Sequence, residues 1–291
     1  MTSPRCADLS EAAREPISAT ATNALNWLLV EVRGTWPRDV SDLGGLHPEL
    51  RTAITNWLER TPSSRLLFIR RPGSARPHRT AFVVHASEHE PFVRRLELSD
   101  ADGLDPARAG EEVSSQLVLV CGHGTRDACC ALRGSAVFGA LREIVPTEDL
   151  WLSSHQGGHR FAANVLLLPA GIQLGRITPD DAAVIVSDAL QGRIALEHYR
   201  GRVGYTAREQ AAELAIRESR GLVRATDVTL VGDDGTHVAF RDAGGHDLVA
   251  VPHEVAGPAV PASCGAEPEP QRHWSAQIRD PLARIPDREN P

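Results

Sequence analysis

Short apolar runs and one segment of helical spacing alternate along the first third of the chain. Residues 47–59 carry apolar side chains three and four positions apart, which predicts an amphipathic helix. Four apolar runs have the length and composition of β-strands. These predicted strands are 27–32, 65–69, 80–85 and 92–98. The polar, turn-rich segment 99–110 is predicted to be a linker, so residues 1–105 form a predicted N-terminal α/β domain.

The same order of elements recurs in residues 113–195. The predicted strands are 116–120, 150–152, 163–168 and 172–174, the last two forming a hairpin. The predicted helices are 129–144, with Leu132, Val137 and Leu141 as its buried stripe, and 178–190. Strand, helix, strand, hairpin, helix is a thioredoxin-like order, so we predict an α/β fold with a thioredoxin-like domain at 113–195. Whether residues 1–105 are a degenerate copy of this domain stays open, because the halves share no convincing identity.

The last third of the chain predicts a smaller appendage. Residues 206–217 have an amphipathic helical pattern, and three short strand-like runs separated by glycine-rich turns follow. These runs are 227–231, 237–240 and 247–251. Residues 196–275 are therefore predicted to be a C-terminal α+β appendage of one helix and a small sheet. Prolines and charges dominate from residue 257 onward, so we expect at most an ordered stub at 264–274 and a disordered tail at 276–291.

Composition limits the classes of function. The 291 residues carry a formal net charge of −7, so no basic field is available to hold nucleic acid. No apolar run approaches the ~20 residues of a membrane span, and the N-terminus lacks the apolar stretch of a signal peptide. We therefore predict a cytoplasmic protein with no membrane partner. Five cysteines, three of them within 121–130, are atypical of a disulfide framework and typical of metal or redox chemistry.

Two segments of the chain combine cysteine and histidine. Cys-Gly-His-Gly-Thr-Arg-Asp-Ala-Cys-Cys (121–130) lies where a predicted buried strand ends and a helix begins. Its glycines let the backbone bend tightly, and the positive end of the helix dipole favours thiolate over thiol. Ser-His-Gln-Gly-Gly-His-Arg (154–160) has two histidines four residues apart. Two thiolates and two imidazoles predict a four-coordinate metal site, formed by Cys121, one of Cys129 and Cys130, His155 and His159.

This donor set suits either zinc or a 2Fe-2S cluster. Structural zinc sites usually place paired ligands about two to four residues apart. Cys121 and Cys130 are nine apart, which favours the larger cluster. Spacing does not decide between Cys129 and Cys130, because they are adjacent at the start of a helix. The neighbouring residues predicted to hydrogen-bond to the ligands, shape their loops or tune the local charge are His123, Arg126, Asp127, Cys129, Gly157, Gly158 and Arg160.

The two segments together resemble the sucraseferredoxin-like family, a group of thioredoxin-like 2Fe-2S ferredoxins. Weaker matches lie at Trp-Leu-Leu-Val-Glu (27–31), Tyr-Arg-Gly-Arg (199–202) and Ala-Ser-Cys-Gly (262–265), so the resemblance spans most of the chain. It implies a ferredoxin domain in which a 2Fe-2S cluster is bound by two cysteines and two histidines. Carried over to this chain, these ligands are Cys121, Cys130, His155 and His159. Cys129 stands where the family requires no cysteine.

The resemblance implies an electron-transfer protein, and an imidazole ligand that takes up a proton on reduction would make the transfer proton-coupled. Two alternatives stay open: a structural zinc-binding module, and a thiol oxidoreductase that uses Cys129 or Cys130. No catalytic residue is assigned, and no carboxylate pair indicates a hydrolase. No Gly-x-Gly-x-x-Gly fingerprint follows a predicted strand, so electrons would come from a redox partner such as a reductase.

Overall fold

The computed structural model describes residues 4–73, 78–98 and 110–279. Its α-helices are α1 (Cys6–Ala12), α2 (Pro48–Arg60), α3 (Ala128–Leu141), α4 (Ala182–Leu190) and α5 (Ala207–Arg220). Its strands are β1 (Asn26–Glu31), β2 (Ser64–Arg70), β3 (Arg79–His85), β4 (Phe92–Leu98), β5 (Glu111–Glu112), β6 (Leu117–Cys121), β7 (Leu150–Ser153), β8 (Val165–Leu168), β9 (Ile172–Leu174), β10 (Tyr199–Arg202), β11 (Val228–Asp233), β12 (Val238–Asp242), β13 (Asp247–Pro261) and β14 (Pro268–Arg279). Residues 99–109 of the predicted linker and 280–291 of the predicted tail lie outside the described residues.

Ten of the described strands form one mixed sheet, in the order β10-β9-β8-β6-β7-β2-β1-β3-β4-β5. In each half of this sheet a helix connects two parallel neighbours, α2 between β1 and β2 and α3 between β6 and β7. The next strand then pairs antiparallel with the first, β3 with β1 and β8 with β6. The predicted α/β fold of thioredoxin-like order is confirmed. Both halves also share one topology of strand, helix, strand and hairpin.

The two halves meet in the middle of the large sheet. Strands β2 and β7 run antiparallel, with Ile69 opposite Ser153 and Arg70 opposite Leu152. The predicted units 1–105 and 113–195 therefore contribute strands to a single sheet. Their boundaries as separate domains stay a prediction.

Both faces of the large sheet are buried along its central strands. Along β1, Leu28 and Val30 belong to one apolar cluster, whereas Trp27 and Leu29 belong to a second cluster. All four side chains are fully buried. Strands covered on both faces need no polar positions, which is why the sequence shows continuous apolar runs here rather than alternation.

Helix α3 packs on this sheet with a different face from the one predicted. Val137 and Leu141 are fully buried as expected, but Leu132 is 49% exposed. The buried face includes Cys130 and Gly134. Leu132 lies two positions after Cys130, about 200° around the helix axis, and so points to solvent. The prediction for Leu132 is therefore wrong.

The C-terminal region is more ordered than its composition indicates. Strands β11 to β14 form a four-stranded antiparallel sheet, and β13 and β14 pair from Val249 opposite Arg279 to Pro261 opposite Pro268. The expectation of a short stub and of disorder from residue 276 is wrong for the residues up to 279. One proline of β13, Pro258, falls within a register shift where a ladder hydrogen bond is not required.

Candidate metal centre

Two thiols and one imidazole meet at one edge of the large sheet. Cys121 is the last residue of β6, Cys130 lies in the first turn of α3, and His155 comes two residues after β7. Because β6 and β7 are parallel, their C-terminal ends lie at the same edge, where α3 also begins. One donor atom from each of the three residues lies within 4.8 Å of the other two. We refer to Cys121, Cys130 and His155 as the primary centre.

Glycines set the backbone around the primary centre. A Cβ added at Gly134 of α3 would lie 2.0 Å from the carbonyl oxygen of Cys121, so only glycine lets the helix approach β6 this closely. Gly157 and Gly158 have φ of +87° and +64°, in the left-handed region that glycine adopts without strain. These two residues turn the chain between the two histidines, the role predicted for them.

The two sulfurs of the primary centre have pKa values shifted in opposite directions. Cys130 donates a hydrogen bond to Cys121, and the His155 ring is also hydrogen-bonded to it, which holds the pKa of Cys121 well below that of an ordinary thiol despite burial. The same bond to Cys121 and the burial of its own sulfur raise the pKa of Cys130 well above the ordinary value. The arrangement therefore favours deprotonation of Cys121 over deprotonation of Cys130.

His123 supports the loop of His155. The backbone N–H of His155 donates to Nδ1 of His123 at 3.1 Å, and Nε2 of His123 donates to the carbonyl oxygen of Pro37 at 2.9 Å. With one nitrogen accepting and the other donating, His123 is a neutral imidazole. Burial lowers its pKa, which agrees with that state. His123 therefore positions the backbone of His155, as the sequence predicted for a residue inside the cysteine loop.

His159 lies beside the primary centre but outside the set of three converging donors. Its ring centroid is 5.0 Å from that of His155, and its Nε2 donates to the carbonyl oxygen of Ala262. Burial lowers the pKa of His159. The Nδ1 atoms of both histidines are buried without a hydrogen-bond partner among the described residues. A buried imidazole nitrogen without a partner is an atom that a metal ion can satisfy.

The structure separates the two adjacent cysteines. Cys130 faces Cys121, whereas the sulfur of Cys129 lies 3.6 Å from that of Cys6 and 3.4 Å from that of Cys264. Asp127 is the N-cap of α3, where its Oδ1 accepts a hydrogen bond from the backbone N–H of Cys129 at 2.8 Å. Spacing did not decide between the two cysteines. In the structure Cys130, and not Cys129, belongs to the primary centre.

Two of the predicted neighbours contact other parts of the chain. Arg160 forms an ion pair with Glu15, with Nε 2.8 Å from Oε1. Arg126 is half-buried and its backbone N–H donates to the carbonyl oxygen of His123 at 3.1 Å. Neither contact involves a donor atom of the primary centre, and the Arg160 ion pair joins its loop to the segment that follows α1.

Arg200 was not predicted as a site residue. It is 1% exposed, and its guanidinium donates to the carbonyl oxygen of Gly157 at 3.0 Å and to Oδ1 of Asn164 at 2.9 Å. Burial lowers its pKa to about 9. It also donates to Oγ1 and to the carbonyl oxygen of Thr20. Arg200 therefore fixes the loop between the two histidines. It belongs to the segment 199–202 that carried part of the family resemblance, but nothing in that segment indicated its role.

The comparison with protein families gives this chain its class. The sequence model described as Sucrase/ferredoxin-like matches residues 17–201, which contain the primary centre and His159. The match covers more than half of the chain, so the chain belongs to the sucrase/ferredoxin-like family. The resemblance seen in the two cysteine and histidine segments is confirmed.

Curated relatives carry a common name, Altered inheritance of mitochondria protein 32. The chain is 32% identical to the Meyerozyma guilliermondii protein over 103 residues, which is 32% of this chain and 36% of that protein. It is 32% identical to the Debaryomyces hansenii protein over 103 residues, 32% of this chain and 38% of that protein. For the Saccharomyces cerevisiae protein the identity is 31% over 107 residues, 32% of this chain and 34% of that protein. The chain thus spans about a third of these relatives. No solved structure matches it.

These comparisons correct the predicted function. The relatives are named for an altered inheritance of mitochondria, which does not indicate a 2Fe-2S electron carrier, and cluster binding gains no support from them. The prediction of a 2Fe-2S electron-transfer protein is therefore wrong. The metal of the centre, the redox partner and the cytoplasmic location stay predictions. Among the described residues, no helix is long and apolar enough to cross a membrane.

Proposed function

We propose that this chain is a metal-binding protein whose primary centre, Cys121, Cys130 and His155, holds a transition metal with His159 as a further ligand. The observation that carries the proposal is the convergence of two sulfurs and one imidazole nitrogen within 4.8 Å of one another at a buried sheet edge. Thiolate and imidazole are donors that select zinc and iron over calcium or magnesium. A metal bound there would supply the positive charge that keeps both sulfurs deprotonated.

Preorganisation supports this proposal. Hydrogen bonds from Cys130 and His155 lower the pKa of Cys121, and its position is fixed because it ends β6. The backbone of His155 is held on two sides, by Nδ1 of His123 and by Arg65, whose Nη2 donates to the His155 carbonyl oxygen at 3.1 Å. Such supporting contacts are typical of metal ligands. They are not needed for a histidine on an ordinary surface loop.

His159 is the proposed fourth donor because of its position and its free nitrogen. Its ring neighbours that of His155, and its buried Nδ1 has no hydrogen-bond partner in the described part of the chain. The bond from Nε2 to the carbonyl oxygen of Ala262 fixes the tautomer in which Nδ1 carries the lone pair. A ligand imidazole held by a backbone carbonyl through its other nitrogen is the common arrangement in metal sites.

Metal analysis of the full chain purified without oxygen tests the proposal. We compare metal content per chain in wild type, in the Cys121→Ser/Cys130→Ser double variant and in the His155→Gln variant. We expect each variant to lack the metal bound at the primary centre. His246→Ala is the matched control, because this histidine is exposed in the turn between β12 and β13 and should leave the metal content unchanged. Zinc, iron and acid-labile sulfide are measured on the same samples, which identifies the occupant.

Wild-type metal content in both site variants would contradict the proposal. Because a folded apoprotein is needed for the comparison, circular dichroism of each variant is recorded with its metal content. Cobalt(II) titration is carried out on apoprotein in which Cys6, Cys129 and Cys264 are replaced by serine, so that Cys121 and Cys130 are its only cysteines. A thiolate-to-cobalt charge-transfer band supports the centre, and its absence argues against it.

A further inference from the structure

A second group of thiols lies next to the primary centre. We refer to Cys6, Asp127, Cys129 and Cys264 as the thiol cluster; their donor atoms all lie within 4.8 Å of one another. Cys6 begins α1, Cys129 lies in the first turn of α3, and Cys264 lies in the turn between β13 and β14. Three distant parts of the chain therefore bring a cysteine to the same point.

The distances within the thiol cluster fit a tetrahedral metal site. The sulfurs form a triangle with sides of 3.6 Å (Cys6 to Cys129), 3.4 Å (Cys129 to Cys264) and 3.6 Å (Cys264 to Cys6). Asp127 Oδ1 lies 3.3 Å from the Cys264 sulfur and 3.8 Å from the Cys6 sulfur. Ligands about 2.3 Å (sulfur) and about 2.0 Å (oxygen) from zinc are separated by roughly 3.8 Å between sulfurs and 3.5 Å between sulfur and oxygen.

The cluster fits a disulfide less well than a metal. All three thiols are free, and a disulfide would bring two sulfurs to about 2.0 Å and leave the third thiol and the carboxylate without a role. Asp127 is 4% exposed, and in residues 4–73, 78–98 and 110–279 its only ion-pair contact within 4.0 Å is Nε2 of His159, at 3.9 Å. Buried anionic groups need positive charge nearby, and a divalent cation supplies it.

We propose that Cys6, Cys129, Cys264 and Asp127 form a second metal site that binds one zinc ion. Binding replaces the three thiol protons, which pass to solvent, with bonds from three thiolates and one carboxylate oxygen to the zinc. The metal joins α1 and the β13–β14 turn to the start of α3. Ala262, whose carbonyl oxygen accepts a hydrogen bond from His159, lies two residues before Cys264. A metal bound to Cys264 would therefore also restrain the carbonyl group that orients His159. The site does not depend on metal in the primary centre.

Zinc content of full-length variants tests this site. Cys6→Ser and Cys264→Ser are each expected to lose one zinc per chain relative to wild type. Both variants should keep the metal of the primary centre, which the Cys121→Ser/Cys130→Ser variant loses. Ser263→Ala is the matched control, since it changes the residue next to Cys264 in the same turn. Unchanged zinc content in both cysteine variants would overturn the proposal.

Alkylation of the wild-type protein gives a second test that needs no variant. Apoprotein with and without added Zn²⁺ is treated with iodoacetamide, and the peptides of each cysteine are quantified by mass spectrometry. We expect zinc to slow the labelling of Cys264, the partly exposed cysteine of the cluster, by at least about tenfold, because bonding to a metal lowers the nucleophilicity of a thiolate. The same protection should persist in the Cys121→Ser/Cys130→Ser protein, which separates this site from the primary centre. Equal labelling with and without zinc, or a Cys129–Cys264 disulfide in protein kept free of oxygen, would overturn the proposal.

Discussion

Replacing Gly134 with alanine is expected to lower the free energy of unfolding by about 3 kcal/mol or more, at the upper end of what overpacking costs. The added Cβ would lie 2.0 Å from the carbonyl oxygen of Cys121, and both groups belong to backbone that cannot rotate away. Helix α3 would have to move off the end of β6. Since Cys130 is carried by α3 and Cys121 by β6, we expect the variant to lose metal as well as stability. Urea unfolding and metal analysis measure the two effects.

Gly139→Ala is the control for this prediction, because it makes the same substitution in the same helix. A Cβ at Gly139 meets no atom within 4 Å, so the helix does not have to move. Alanine forms helices better than glycine by up to about 1 kcal/mol, so this variant should be unchanged or slightly more stable. Equal unfolding midpoints for the two variants would show that the contact between α3 and Cys121 does not limit the packing of the site.

Replacing Arg200 with methionine is expected to cost roughly 3–5 kcal/mol of stability. The guanidinium donates to four acceptors, Oγ1 and the carbonyl oxygen of Thr20, the carbonyl oxygen of Gly157 and Oδ1 of Asn164. Each acceptor left without a donor costs about 1–3 kcal/mol, with incomplete additivity. Because Gly157 lies between the two histidines, we also expect weaker metal binding at the primary centre. Chemical unfolding and competition with a chelator report on the two consequences separately.

Arg220→Met is the matched control, because Arg220 is exposed at the end of α5. A surface change of this kind usually alters stability by no more than about 0.5 kcal/mol. Arg200→Lys refines the test, since it keeps the charge but cannot reach all four acceptors in the planar geometry of a guanidinium. If methionine at position 200 left stability and metal affinity at wild-type values, the loop between the histidines would be fixed by other contacts.

The individual strands of the large sheet and the position of the primary centre could be predicted because both follow from short-range patterns. Strands buried on both faces produce apolar runs that stand out in the sequence, and β6 and β7 are such runs. The Cys121 segment follows the first run and the His155 segment follows the second. Once the two strands are taken as parallel neighbours, their loops must meet at one edge of the sheet. The order of strands in the whole sheet, which joins β2 to β7, had no comparable local signal.

The thiol cluster could not be predicted because its members are far apart along the chain. Cys6 and Cys264 are separated by 258 positions, and they meet only because the β13–β14 hairpin folds back toward α3. Only residues 247–251 of that hairpin have a strand-like pattern, and the prolines and charges from residue 257 onward predict disorder beyond a short stub. A similar limit applied to Cys129 and Cys130. Adjacent residues on a helix point about 100° apart, and only the packing of α3 shows which one faces Cys121.

The thiol cluster also bears on how this family should be cut into fragments for experiments. A fragment limited to the matched residues 17–201 keeps every proposed ligand of the primary centre but removes Cys6, Cys264 and the Ala262 carbonyl that holds His159. Metal affinity measured on such a fragment would describe a centre in which the His159 ring lacks its hydrogen bond to Ala262. The region matched by the family model is therefore smaller here than the unit that holds the proposed metal ligands in place.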